Sequence, residues 1–241
     1  MIYNKICVFD FETDGKNPYE CSPVQLSAVM IDPIRLEIIP NSKFNAYLRP
    51  EKLSVPSDAP YAGSDILEWH GKVKGISADV VLSEWKKYPE QQESWKNFIS
   101  YLEKYHLNGK KSQFTAPIAC GYNILRFDMH IIDRLSGKYK NINKEKESNI
   151  FHPRDKIDIM NIAFLWLANE AEVRSLSLDS LRDYLGIDKT NAHDAYKDVS
   201  DCAEILIRFL KLHRNLAKKI TFKDAFKAHA EGRICFVRVC I

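Results

Sequence analysis

The chain has 241 residues, of which 45% are hydrophobic and 28% are charged, and its formal net charge at pH 7 is +3. This length can bury one substantial core, and we expect one domain with insertions rather than two domains. The small positive charge is compatible with a polyanionic partner but excludes a histone-like basic protein.

Cysteine usage and hydropathy predict an unexported, cytoplasmic protein. The six cysteines are scattered without a Cys-x-x-Cys pair, which favours reduced, buried thiols over a zinc site or a disulfide framework. The sequence contains no apolar run of about eighteen residues. Residues 1–5 contain neither a basic nor an apolar export region. We therefore expect no membrane association.

Three apolar runs near the start of the chain predict an antiparallel meander. They cover residues 5–11, 24–31 and 43–48. The Asp32-Pro33 step predicts the turn between the second and third strands. Three consecutive strands joined by short connections pair most simply as antiparallel neighbours.

The remainder of the chain is predicted to contain one further strand and several helices. The segments, in chain order, are a helical insertion at 50–115, a strand at 116–120, a helix to residue 135, a loop insertion at 137–155, helices at 157–168 and 178–185, and a long helix from about 195 with an apolar stripe of helical period. Residues 1–218 form the predicted domain, and 219–241 are a C-terminal extension of unknown role. For 234–239 we favour an edge strand over a partner-binding tail.

Two acidic residues end the first predicted strand. Because side chains alternate along a strand, Asp10 and Glu12 share one face, while Phe9 and Phe11 share the other. Two adjacent carboxylates repel each other unless a cation lies between them. The alternative is a solvated strand end with exposed acids. We favour metal ligands because the surrounding sequence is apolar.

A third carboxylate lies on the apolar stripe of the helix that ends near residue 135. Asp128 shares this stripe with Ile131, Ile132 and Leu135, where a carboxylate without a partner is costly. An acid at a helix N-terminus, favoured by the helix dipole, is the alternative. Asn123, five residues earlier, predicts either a substrate contact or a turn, and the two interpretations stay open.

The fourth carboxylate belongs to the long C-terminal helix. Asp198 lies at the edge of the apolar stripe and is predicted to face the sheet, with Asp194 as a helix cap. His193 then belongs to the loop that enters this helix, where it is free to reach a reacting water. Asp201 and Glu204 turn away from the stripe and are expected to be solvated.

The donor types indicate hard cations. Four carboxylates, with no metal-ligating cysteine or paired histidines, favour Mg²⁺ or Mn²⁺ over Zn²⁺. Two such ions about 3.5–4 Å apart can hold the attacking and leaving oxygens of a phosphoryl displacement. The pattern therefore predicts a two-metal phosphodiesterase site.

The order and spacing of these motifs resemble the DEDDh 3′→5′ exonucleases, the RNase T and proofreading branch of the ribonuclease H-like superfamily. The histidine five positions before the last aspartate indicates this branch, because the tyrosine branch carries tyrosine at the position of Asp194. The resemblance covers residues from about 5 to 213, and within the family the chain looks most like the nuclease domain of bacterial exonuclease I. It rests on Val8-Phe9-Asp10-Phe11-Glu12-Thr13, Ser22-Pro23-Val24-Gln25-Leu26-Ser27-Ala28, Gly121-Tyr122-Asn123-Ile124-Leu125-Arg126-Phe127-Asp128 and Ala192-His193-Asp194-Ala195-Tyr196-Lys197-Asp198.

The resemblance implies an α/β fold, with a ribonuclease H-like mixed sheet that contains an antiparallel three-strand meander and is flanked by helices. It also implies roles for the acidic residues. Asp10 would bridge two Mg²⁺ or Mn²⁺ ions, Glu12 and Asp198 would complete the nucleophile-side ion, and Asp128 would support the other ion. His193 would take the proton from the attacking water.

The resemblance further implies removal of nucleotides from the 3′ end of nucleic acid, with release of 5′-mononucleotides and a role in DNA repair or replication. Likeness to exonuclease I favours single-stranded DNA. The alternatives are an exoribonuclease or oligoribonuclease, and a catalytically silent nucleic-acid-binding module associated with a polymerase. For Trp69, a stacking platform and a core anchor both stay open. The candidate substrate-binding residues are Phe11, Thr13, Gln25, Trp69, His70 and Asn123.

Overall fold

The structure is a computed structural model, and it describes residues 3–54, 64–190 and 194–219. His193 lies outside the described residues, as does the C-terminal extension from residue 220 onward. The predictions made for these two parts of the chain therefore stay predictions.

A mixed sheet of six strands forms the centre of the fold, with the order β3-β2-β1-β5-β6 and with β4 also paired to β2. β1 is antiparallel to β2 and parallel to β5. The expected α/β class with a mixed sheet is confirmed. The strands are β1 Ile6–Thr13, β2 Pro23–Asp32, β3 Glu37–Ile38, β4 Phe44–Tyr47, β5 Ile118–Gly121 and β6 Lys156–Asp158.

The predicted meander is present, with the predicted third strand at 43–48 found as β4, and a short strand that was not predicted, β3, precedes it. β3 and β4 both pair antiparallel with β2. Between them Pro40 has no N–H to donate, and Asn41 has a φ of 58°. The hydroxyl of Ser42 accepts the N–H of Met30 at 3.1 Å in place of a ladder bond. The chain thus leaves the sheet briefly without leaving this donor unpaired.

Helices flank the sheet, and the described part of the 50–115 insertion is helical as predicted. The helix that carries Asp128 runs to Lys138, three residues beyond its predicted end, because its apolar stripe says little about where the last turn stops. The helices are α1 Glu51–Ser54, α2 Ser64–Lys74, α3 Ala78–Lys87, α4 Gln91–Glu103, α5 Asp128–Lys138, α6 Ile159–Leu167, α7 Leu178–Leu185 and α8 Ala195–Lys219, with short 3₁₀ turns at Leu107–Gly109 and Gln113–Thr115.

The strand β6 was not predicted, because two of its three residues were assigned to the start of a helix. It is three residues long and pairs in parallel with β5, from Ala119 opposite Lys156 to Gly121 opposite Asp158. Such a short run shows no alternation of its own. Asp158 also caps α6 by accepting the N–H of Met160 at 3.0 Å, so the helix begins later than predicted.

The sheet separates two apolar cores, and the alternation along β1 assigns its residues to them. Cys7, Phe9 and Phe11 pack on the face covered by α4 and α5. Ile6 and Val8 pack on the opposite face, against α6, α7 and α8. Since Asp10 and Glu12 continue the series of Ile6 and Val8, they lie on the α8 face. The strand therefore directs both carboxylates toward the first turns of α8.

The four cysteines among the described residues are all buried and free, which agrees with the predicted reduced thiols; they are Cys7, Cys21, Cys120 and Cys202. Within the described part of the chain, each helix is too short or too polar to cross a membrane.

Candidate active site

Three carboxylates from two elements meet at one end of the sheet. Asp10 and Glu12 come from β1, and Asp198 comes from the first turn of α8. One oxygen atom from each lies within 4.8 Å of the others, a spacing at which a single cation can bind all three. The structure thus brings together three of the four predicted ligands and turns Asp198 toward the sheet, as its stripe position predicted.

The start of α8 sets where Asp198 points. The carboxylate of Asp194 accepts the N–H groups of Tyr196 at 3.0 Å and Lys197 at 3.2 Å, the arrangement of an N-terminal helix cap. The predicted capping role of Asp194 is confirmed. Because the cap fixes the first residue of the helix, it also fixes which turn faces β1.

Asp128 approaches β1 from α5 rather than from α8. It is buried at the first residue of α5, and its carboxylate accepts the N–H of Phe11 at 3.1 Å. Phe11 lies between Asp10 and Glu12 in β1, so this bond fixes Asp128 beside the cluster. Both interpretations made from the sequence apply to Asp128. It is an acid in the first turn of the helix, and its side chain also faces the interior.

A glycine makes this approach possible. Gly121 ends β5, and a Cβ atom there would lie 2.6 Å from the carbonyl oxygen of Phe9 and 2.3 Å from a side-chain carbon of Ile124. Both contacts are far too short for any side chain. Glycine therefore lets the connection to α5 pass directly beside β1, where Asp128 reaches its partner.

The connection from β5 to α5 is held by Asp158 at the end of β6. Its carboxylate accepts the N–H groups of Asn123 at 2.9 Å and Leu125 at 3.2 Å. Asn123 has a φ of 57°, a left-handed conformation that asparagine adopts more readily than most residues. This geometry favours the turn interpretation of Asn123, and its contact with substrate stays a prediction.

The carboxylates strongly disfavour simultaneous ionisation. Burial, followed by the charges of Asp128, Glu12 and Asp198, raises the pKa of Asp10 well above its usual value. Burial and then the charge of Asp198 raise the pKa of Glu12 to about 8. Burial raises the pKa of Asp128 to about 7. A cation that binds these groups would relieve both the burial penalty and the repulsion.

The metal-free protein is expected to lose stability as the pH rises from about 4 to about 8. A carboxyl group whose folded pKa is raised stabilises the fold below its unfolded pKa, and that contribution is lost as the pH passes the folded pKa. Glu12, with a folded pKa of about 8, sets the upper end of this window. Urea unfolding in EDTA at several pH values measures the effect, and Glu12→Gln should flatten it. Saturating Mg²⁺ should remove the decline; a decline unchanged by Mg²⁺ and by Glu12→Gln would contradict this assignment.

Two pockets open on either side of Glu12 and His70, which line both. The first has a volume of about 290 Å³ and the second about 450 Å³. The first is further lined by Val24, Gln25, Tyr47, Val73, Lys74, Trp85, Tyr88 and Asp194. The second is further lined by Thr13, Gly15, Lys16, Asp65, Ile66, Trp69 and Phe127.

The structure distinguishes the tryptophans of the helical insertion. Trp69 is 41% exposed at the second pocket, whereas Trp85 is 1% exposed in a small apolar cluster. The ring of His70 lies between them and donates from Nε2 to the carbonyl oxygen of Thr13 at 2.9 Å. Burial lowers the pKa of His70, which favours its neutral form. The core anchor of this segment is therefore Trp85, whereas the partly exposed Trp69 borders the second pocket.

The other predicted substrate-binding residues differ in their placement. Thr13 lines the second pocket, and Gln25 lines the first while donating to the side chain of Asn45 at 3.0 Å. The ring of Phe11 is instead buried on the opposite face of β1, because strand alternation turns it away from the carboxylates. Its placement does not agree with stacking on a nucleotide. The phenylalanine that lines the second pocket is Phe127, beside Trp69.

Asp201 is not solvated as predicted. It is buried, and its carboxylate is paired with Arg182 at 2.7 Å and with Lys197 at 2.6 Å. Arg182 reaches it from α7, a partner that the pattern of α8 alone does not reveal. Glu204 is exposed as expected. No spacing in the sequence singles out Arg182, because its significance depends on how α7 packs on α8.

Comparisons with known proteins show that the chain is similar in sequence and fold to exonuclease I. No protein-family model matches the chain. It is 27% identical over 240 residues to exodeoxyribonuclease I of Escherichia coli (strain K12), a match that covers 89% of this chain and 44% of that protein. The expected resemblance to the DEDDh exonucleases, with exonuclease I among them, is confirmed.

Solved structures of exonuclease I share the fold. E. coli exonuclease I in complex with a dT13 oligonucleotide has a TM-score of 0.62 at 18% identity, covering 90% of this chain and 43% of that one. The zinc-ion-bound form of the E. coli complex with single-stranded DNA has a TM-score of 0.59 at 20% identity, covering 96% of this chain and 44% of that chain. The chain thus spans less than half the length of these relatives.

Proposed function

We propose that this chain is a metal-dependent 3′→5′ exonuclease that hydrolyses phosphodiester bonds at the 3′ end of single-stranded DNA and releases 5′-mononucleotides. The observation that carries the proposal is the convergence of Asp10, Glu12 and Asp198, of which Glu12 lines two pockets that also contain aromatic residues. The likeness to E. coli exonuclease I, which has been crystallised with a dT13 oligonucleotide, supports single-stranded DNA as the substrate.

The donor set fits hard divalent cations, because every ligand in the cluster is a carboxylate oxygen. We assign two Mg²⁺ or Mn²⁺ ions to it. Asp10 would contact both, Glu12 and Asp198 one, and Asp128 the other. When bound, such ions stabilise the charge that develops on the attacking and leaving oxygens of a phosphodiester.

His193 is the proposed general base. It directly precedes Asp194 in the sequence. Asp194 lines the first pocket together with Glu12, so the residue next to His193 lies at the site. The carboxylates are proposed to bind cations, and the neutral ring of His70 already donates a hydrogen bond to the carbonyl oxygen of Thr13. A histidine in the adjoining loop is the residue type best suited to accept a proton near neutral pH.

The two pockets are proposed to hold the last nucleotides of the strand. In the first, the rings of Tyr47 and Tyr88 are stacked at 4.7 Å, with Lys74 in the same wall. In the second, Trp69 and Phe127 flank an opening that also contains Lys16. Aromatic faces bind unpaired bases without reading sequence, and lysines attract the phosphates.

Trp69→Ala is expected to weaken binding of single-stranded DNA by about 1–3 kcal/mol, the range for losing one base-stacking ring. The salt dependence of binding should not change, because no phosphate contact is removed. Titrations of labelled oligonucleotide at several salt concentrations measure both quantities.

Two other tryptophans serve as controls for this variant. Trp166, on α6, is 38% exposed but lines neither pocket, so Trp166→Ala should leave binding unchanged. Trp85→Ala should instead lower the free energy of unfolding by about 3–5 kcal/mol, as expected for a buried aromatic residue. If Trp69→Ala lowers the free energy of unfolding as much as Trp85→Ala does, the stacking assignment is wrong.

The proposed activity is tested by incubating the purified chain with Mg²⁺ or Mn²⁺ and with 5′-labelled single-stranded DNA, RNA or duplex. The expected product is a ladder of DNA that shortens from the 3′ end, and EDTA should abolish it. Shortening of RNA alone would show an exoribonuclease instead. Binding without any cleavage would show a silent nucleic-acid-binding module.

A further inference from the structure

Arg182 of α7 is buried, and each of its three guanidinium nitrogens donates to a different carboxylate. Nε donates to Asp201 at 2.7 Å, Nη1 to Asp179 at 2.9 Å and Nη2 to Asp198 at 2.5 Å. Its side chain is 1% exposed. Lys197 occupies the second oxygen of Asp201 at 2.6 Å. Arg182 thus connects the interior between α7 and α8 directly to one of the clustered active-site carboxylates.

The charges in this network cancel apart from Asp198 itself. Arg182 and Lys197 are positive, whereas Asp179 and Asp201 are negative. Burying a charge is costly unless it is paired, so this neutral group explains how the interior tolerates Arg182. Because the four charges sum to zero, the group changes the net charge of the acidic cluster little. Its main contribution is a directed hydrogen bond to Asp198.

An ion pair that only joined α7 to α8 would be complete without Asp198. Asp201 and Asp179 already accept two of the three guanidinium nitrogens. The third bond goes to the residue that shares the metal-sized cluster with Asp10 and Glu12. A carboxylate offers about four lone-pair positions, so the bond to Arg182 does not by itself prevent Asp198 from binding a cation.

We propose that Arg182 is a positioning residue that orients the Asp198 carboxylate so that it can share a cation with Asp10 and Glu12. This inference rests on the proposed function. The rigid, planar fork of arginine suits the task, because lysine offers one flexible ammonium group in place of three directed donors. Residues that orient a metal ligand typically change metal affinity or activity by about 10–100-fold when they are removed.

The test is the affinity of the purified full chain for Mn²⁺, measured by calorimetry without nucleic acid. Arg182→Lys keeps the charge but loses the fork. Arg182→Met combined with Asp201→Asn removes the fork without leaving the buried charge of Asp201 behind. Both are expected to bind Mn²⁺ about 10–100-fold more weakly than the wild type. Asp183→Asn is the control, because it also removes one carboxylate charge from α7 but from a residue that pairs with Lys189 and not with Arg182, and it should leave the affinity unchanged.

The outcomes separate this inference from the proposed function. A folded double variant that binds Mn²⁺ as tightly as the wild type would assign Arg182 to structure alone. If neither Arg182 variant folds, the guanidinium NMR signals of Arg182 in the wild type decide: a shift on addition of Mg²⁺ with the same midpoint as the Asp198 carboxyl signal supports the proposal, and unchanged signals overturn it. A wild-type chain that binds no Mn²⁺ would overturn the proposed function and this inference with it.

Discussion

Asp10→Asn is expected to lower the rate of 3′-end hydrolysis by at least about 10³-fold while leaving the fold intact. Loss of one preorganised hydrogen-bond donor costs about 10²–10³ in kcat, and loss of a ligand shared between two cations should exceed this. The variant retains the shape of the side chain but loses its charge. Single-turnover assays on 5′-labelled DNA measure the rate, and wild-type-like turnover would contradict the two-metal assignment.

The same substitution should stabilise the protein near pH 8 when EDTA is present. Burial and the neighbouring carboxylates raise the pKa of Asp10, so its ionised form opposes folding in the absence of a cation. With saturating Mg²⁺ the sign should reverse, because the wild type then gains binding energy that the variant lacks. Urea unfolding midpoints with and without Mg²⁺ measure both effects.

Asp32→Asn is the matched control at the far end of the same sheet. Asp32 bonds Lys5 at 2.6 Å, and this partner lowers its pKa to about 2. A carboxylate with a lowered pKa stabilises the fold above its unfolded pKa, so Asp32→Asn should destabilise the protein at pH 8 and leave hydrolysis unchanged. Equal changes in both variants would show that the Asp10 effect is not specific to the acidic cluster.

His193→Ala is expected to retain binding of metal and of the 3′ end but to lose about two to four orders of magnitude in rate, the range for removing a general base. The remaining rate would come from the cations and the bound geometry. Calorimetry with Mn²⁺, oligonucleotide titration and single-turnover kinetics separate these three quantities. His213, exposed on α8, is the matched control, and His213→Ala should leave the rate unchanged.

The pH dependence of the rate distinguishes a general base from a residue that only positions the substrate. The rising limb near the pKa of imidazole, about 6.5 before perturbation, should vanish or flatten in His193→Ala. Water bound to a metal ion also ionises and can produce a similar limb. Both proteins must therefore be measured with Mg²⁺ and with Mn²⁺. If the rising limb of the pH profile shifts with the metal ion but not with His193→Ala, His193 is not the general base and only positions the substrate.

Local patterns in the sequence were sufficient for much of the site. Alternation along the first strand placed Asp10 and Glu12 on one face, and the period of the last helix turned Asp198 toward the sheet. The capping role of Asp194 also followed from its position before the apolar stripe. Each of these inferences depends on a side chain and its own element, where the repeat of the backbone sets direction.

Short strands and mixed environments were harder to predict. The three residues of β6 form a strand only because β5 offers a parallel partner. Trp69 and Trp85 lie in the same helical insertion, yet only Trp85 is buried, since its helix turns that side toward Val24 and Leu67. Composition could not distinguish the two tryptophans, because both suit a core and a stacking surface equally well.

The sequence by itself was sufficient to predict the acidic cluster and the resemblance to exonuclease I. Only the tertiary structure decided that Asp201 is buried and that Arg182 contacts Asp198. The physical reason is that the energy of a buried charge depends on partners from other elements. Arg182 and Asp198 lie on separate helices, and only the packing of α7 against α8 brings a guanidinium nitrogen within 2.5 Å of the carboxylate.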